Sequence, residues 1–93
     1  MKTLIVSYDL HRPEQNYDKL LQKIRAYGSW AKLGGSAYLI ITSQTVTQVR
    51  DNLGSVLDSN DSLFVGTCPV PSAWKGLSEE VSKWILENQP KNS

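Results

Sequence analysis

The hydrophobic pattern changes period several times along the chain, and each change marks an element. Residues 3–9 alternate, with Leu4, Val6 and Tyr8 on one side and Thr3, Ile5, Ser7 and Asp9 on the other, which is the period of a strand. From Pro13 and Glu14 the spacing becomes helical. Tyr17, Leu20, Leu21, Ile24 and Tyr27 form one apolar stripe, and Gly28 ends it. A short strand through Trp30–Leu33 meets the Gly34–Gly35 turn, and SAYLIIT (36–42) follows as a strand that is apolar on both sides. Thr45 and Gln48 stand at capping-box spacing before a second helical stripe of Val46, Val49, Leu53, Val56 and Leu57. DSNDS makes a turn into SLFVGTC (62–68), a further strand.

The order β-α-β-β-α-β predicts an α+β protein. Its form is the ferredoxin-like βαββαβ arrangement, an antiparallel four-stranded sheet with both helices on one face. Pro69 and Pro71 break the chain after Cys68, and a last helix is expected from Glu79 to Asn88. Ser78 serves as its cap, Glu79 and Glu80 suit the positive helix start, and Pro90 lies beyond its end. We therefore expect a core over residues 1–68 and a C-terminal extension over 69–93 whose helix packs on the same domain, carrying Trp74, Leu77, Val81, Trp84 and Ile85 inward.

A sheet with helices on one face only shows water a polar second face. Here Ile5 and one full side of SAYLIIT are apolar on that face as well. Either the C-terminal helix folds across it or a second copy packs there as an isologous homodimer. The homodimer is the expectation.

Composition adds limits more than it adds chemistry. A chain of 93 residues, 40% hydrophobic and 20% charged, is one globular domain with a thin core. The net charge of +1 gives no global basic field. Locally, His11 to Lys32 holds five bases (Arg12, Lys19, Lys23, Arg25, Lys32) against Glu14 and Asp18, so one end is mildly positive. Cys68 is the one cysteine, which excludes an intrachain disulfide and fits a buried structural thiol. No apolar segment has the length of a signal peptide or a membrane span, so a cytoplasmic location without membrane contact is expected.

The candidate chemistry lies in VSYDLHRP, where an apolar strand ends on a carboxylate. By parity with Ile5 and Ser7, Asp9 stands on the face without helices. Two copies meeting there would bring two Asp9 carboxylates together, and a divalent cation relieves that repulsion. Mg²⁺ or Mn²⁺ suits one or two carboxylates plus waters, and His11 and Arg12 follow where phosphate contacts are useful. The plainer alternative is that Asp9 makes an Asx turn or pairs with Arg12. Tyr38 and Phe64 sit among core-type Leu, Ile and Val, which argues against base-stacking platforms.

Several short stretches together carry a family likeness. They are the strand end Tyr8-Asp9, the helix closing on Tyr27-Gly28, the strand Ser36-Ala37-Tyr38-Leu39, and the entry Asp61-Ser62-Leu63-Phe64-Val65. In order and spacing, residues 1–68 resemble the small ferredoxin-fold subunit of CRISPR spacer acquisition, the Cas-two type, which partners the integrase. They are also similar to virulence-associated protein D, a related toxin-like ribonuclease. The resemblance implies a homodimer in which Asp9 binds Mg²⁺ and supports cleavage of RNA or double-stranded DNA, in a CRISPR system or in a relative outside such loci. It equally implies a second role, a non-catalytic dimeric scaffold that bridges nucleic acid or holds a protein partner such as the integrase subunit.

Overall fold

Strand β1 (Lys2–Asp9) lies inside a four-stranded antiparallel sheet because both of its edges find partners. The sheet order is β2 (Trp30–Gly34), β3 (Ala37–Thr42), β1, β4 (Ser62–Thr67), and helices α1 (Asp18–Arg25), α2 (Val46–Gly54) and α3 (Glu79–Asn88) complete an α+β chain. The arrangement is compatible with the ferredoxin-like expectation. These features come from a computed structural model, which describes residues 1–10, 17–68 and 73–88. Pro13 and Glu14, where the helix was expected to start, and the prolines Pro69, Pro71 and Pro90 lie outside the described residues, but α1 begins only at Asp18, with Tyr17 in a non-helical N-cap conformation.

Register converts the alternation in β1 into a core. Leu4 pairs with Ile40 and Val6 with both Tyr38 and Val65, so these side chains share one face of the pleat. On that face Leu20 and Ile24 of α1, and Val49 and Leu53 of α2, close over Leu4 and Val6, which are 0% exposed. Burying each such side chain contributes about 1.5–3 kcal/mol, so this cluster supplies most of the apolar driving force.

Local chemistry places the helix ends. Thr45 Oγ1 accepts from the Gln48 amide at 3.1 Å while Gln48 Oε1 accepts from the Thr45 amide at 2.9 Å, the reciprocal pair its spacing predicts. After α1, Gly28 takes φ +91°, a left-handed turn that side-chain-bearing residues adopt only with strain. A polar chain then ties the two helices. Lys23 Nζ donates to Asn52 Oδ1 at 3.0 Å, Asn52 Nδ2 donates to the Tyr27 hydroxyl at 2.9 Å, and that hydroxyl donates to Gln44 Oε1 at 2.8 Å.

The second sheet face carries the first of its two expected covers. Helix α3 folds across it and packs over Ile5, Leu33 and Leu39, so this chain's own C-terminal segment covers that part of the face. Leu39 is 3% exposed and Ile85 5% exposed, with Cys68 buried beside them. Trp74, Leu77, Val81 and Trp84 are half-buried around this cluster, less completely than expected. Polar contacts dock the helix. Thr3 Oγ1 donates to the Asn88 carbonyl at 2.7 Å, Trp74 Nε1 donates to Ser82 Oγ at 2.9 Å, and Ser78 Oγ accepts from the Val81 amide at 3.2 Å. No helix among the described residues is long and apolar enough to cross a membrane.

Candidate functional site at the end of the first strand

α3 leaves one end of the second face open, and Asp9 stands there. Its strand alternation carries it to that face with Ile5 and Ser7, and its position as the last residue of β1 leaves it exposed. Across the ladder it faces Ser62, and Ser7 faces Phe64. Ser7, Tyr8, Asp9, Ser62, Leu63 and Phe64 line an open cleft of about 180 Å³. Among the described residues the Asp9 carboxylate makes no hydrogen bond or ion pair, and the amide that an Asx turn would use lies outside them. His11 and Arg12 lie outside the described residues, as does the Asp9–Arg12 pairing.

Asp61 precedes Ser62 in the chain and is the nearest acid along β4, but it is occupied elsewhere. Its carboxylate accepts from the Tyr17 hydroxyl at 3.1 and 3.3 Å and from the Asp58 amide at 2.9 Å. It braces the turn into β4 against the start of α1. Among the described residues no group of three His, Cys, Asp or Glu side chains converges on a metal position. The described residues of one chain thus offer a single carboxylate in this cleft. The donor type fits an oxygen-ligated divalent cation, and the donor number fits it only when a second copy supplies its own Asp9.

Two aromatics stand more exposed than their sequence surroundings imply, Phe64 beside the cleft and Trp30 at the far edge of the sheet. Phe64 is 65% exposed, although it stands in an apolar run. The pairing of Val6 with Val65 turns Leu63 and Val65 to the helices and Phe64 outward. Its ring lies back over Gly66, whose missing Cβ would stand 3.0 Å from it. Trp30 is 37% exposed at the β2 edge with Arg25 above its ring. An aromatic at an edge strand near a helix-end arginine is the signal that would have found it. By contrast Tyr38 is buried, as its core-type neighbours suggest.

Tyr8 links the core to this end. Its amide donates to the Ser36 carbonyl at 3.0 Å, which anchors the strand end to the hairpin turn. Burial pushes its phenol above the ordinary tyrosine range, nearby Tyr38 adds to the rise, and the Arg25 guanidinium works against both. The phenol therefore stays protonated at neutral pH and acts as a wall of the cleft. Among the described residues lining this cleft, Asp9 is the anionic ligand or base.

No protein-family model, no curated protein and no solved structure matches this chain.

Proposed function

We propose that the protein is a ferredoxin-like homodimer that uses Asp9 from both copies as a metal-dependent endonuclease on RNA or double-stranded DNA. The observation that carries this reading is an exposed carboxylate at a strand end, without a partner among the described residues, beside an exposed Phe64 on the sheet face opposite α1 and α2. Burying Phe64 between two copies favours association by about 1–2 kcal/mol per copy. The same contact brings the twin Asp9 side chains toward one axis. The resemblance of residues 1–68 to the spacer-acquisition subunit supports the same dimer and the same aspartate. Mg²⁺ or Mn²⁺, held by the two Asp9 carboxylates, would supply an activated water and charge stabilisation at a phosphodiester. In this reading Asp9 holds the metal, and His11 and Arg12 hold phosphate.

A non-catalytic scaffold is the second reading. It is favoured by the lack, among the described residues, of a third acid or histidine near Asp9 and by the engagement of Asp61 with Tyr17. Its protein partner would be an integrase-type subunit, the partner the resemblance brings with it.

Cleavage of single-stranded RNA and duplex DNA with Mg²⁺ or Mn²⁺ tests the two against each other. Asp9→Asn keeps size and hydrogen bonding but removes the charge, and cleavage should fall at least about a hundredfold. Sedimentation should give about twice the 10.4 kDa chain mass, and Phe64→Asp should return it to one copy. Cleavage indifferent to both EDTA and Asp9→Asn defeats the nuclease reading. Gel shifts without cleavage across metals and substrates establish the scaffold.

A further inference from the structure

We propose that Arg25 and Trp30 form a base-stacking contact for single-stranded nucleic acid at the outer edge of β2. This deepens the nucleic-acid reading above and rests on it, but it needs neither cleavage nor a dimer. Among the described residues β2 is an end strand of the sheet and pairs with β3 alone. Trp30 faces Ile40 across that pair and Lys32 faces Tyr38, so Trp30 and Lys32 project on the same side. The indole backs onto Tyr38, with ring centroids 5.8 Å apart at 59°. Because Tyr38 is itself fixed in the core, the indole has a rigid support while more than a third of it meets water. Arg25 closes the arrangement, its guanidinium carbon 5.2 Å from the Trp30 ring centroid.

Neither Arg25 nor Lys32 has a carboxylate in ion-pair range among the described residues, where Arg50–Asp51 is the ion pair at 2.9 Å. Lys23, by contrast, is engaged by Asn52 and stays out of the patch. A guanidinium lying over a ring keeps an outer planar face and a fork of N–H donors. Unpaired bases stack on such a face, and phosphate oxygens take the fork. A duplex hides its base faces, so the surface selects single strands.

The test is fluorescence anisotropy with fluorescein-labelled oligouridylate and oligodeoxythymidylate at low salt in EDTA, with tryptophan quenching read alongside. Wild-type protein should bind both and be quenched. Arg25→Ala and Trp30→Ala should each weaken binding about tenfold, the scale of one lost base stack. Trp30→Phe, which keeps an aromatic face and spares the packing on Tyr38, should retain most of the affinity, and Arg50→Ala should retain all of it. Arg25→Lys binding as tightly as wild type would mean that charge alone is read, which overturns the stacking contact. Nucleic-acid binding indifferent to Arg25→Ala and Trp30→Ala overturns this surface and leaves the Asp9 reading standing. Failure to bind any single strand or duplex overturns both.

Discussion

Ile85→Ala is the most direct test of what covers the second sheet face. Ile85 is 5% exposed and packs with Leu39 and Cys68, while its chain neighbour Leu86 is 67% exposed. The truncation removes three carbons, worth about 2.4 kcal/mol of transfer free energy at about 0.8 kcal/mol each. The space left behind adds a cavity penalty. Ile85 already borders an apolar hollow of about 200 Å³ with Ile5, Leu33, Leu39 and Trp74, so the new void joins an old one and closes poorly. Some relaxation of α3 offsets this, and the expected loss is about 3 kcal/mol, inside the range of about 2–5 for such truncations. Domains of this size hold about 5–10 kcal/mol in total, so the loss is a large share. Urea unfolding followed by circular dichroism should show a lower midpoint with an unchanged slope. The melting temperature should drop by about 12–24 °C, at about 4–8 °C per kcal/mol. Leu86→Ala on the same helix should stay within about 0.5 kcal/mol of wild type. If the two variants are indistinguishable, α3 does not pack on the sheet. If the Ile85→Ala loss depends on protein concentration, the cover is a second copy. Either result refutes the reasoning.

Other outcomes follow from the same contacts. Ending the chain after Cys68 should cause aggregation in a turbidity assay, because it uncovers Leu39, Ile5 and Cys68 together. Thr45→Ala should cost about 1 kcal/mol in urea unfolding, since one side of the capping box leaves the Gln48 amide without its acceptor. Burial pushes the Cys68 thiol upward, and the Tyr8 phenol is raised mainly by burial too. A folded pKa above the unfolded one means the native state holds its proton more tightly. The resulting stability is complete at neutral pH and is lost as pH rises from about 8.5, the ordinary thiol pKa, through the folded value. Urea midpoints should accordingly fall above that pH, and Cys68→Ala should flatten the first part of the fall. A thiol reagent should label native Cys68 only as fast as the protein opens.

The sequence alone determined the elements and their faces. Strict alternation at Leu4, Val6 and Tyr8 permits only a strand with one buried side, and the stripe ending at Gly28 permits only a helix against it. The capping box was equally plain, because both partners lie three residues apart on one chain. These signals are local, and local spacing is what a sequence records. The two-sided apolarity of SAYLIIT stated that both faces of β3 are covered, but it did not say by what. A docked helix and a second copy remove the same area from water, and hydrophobic burial has no direction. Only the path of α3, tied through Thr3 to Asn88, decided between them over Leu39. The site divides in the same way. Asp9 at a strand end is visible in the chain. Phe64 turned outward by the register with β1, Asp61 taken up by Tyr17, and Arg25 laid over Trp30 are meetings of residues distant in sequence, and only the closed sheet brings them together.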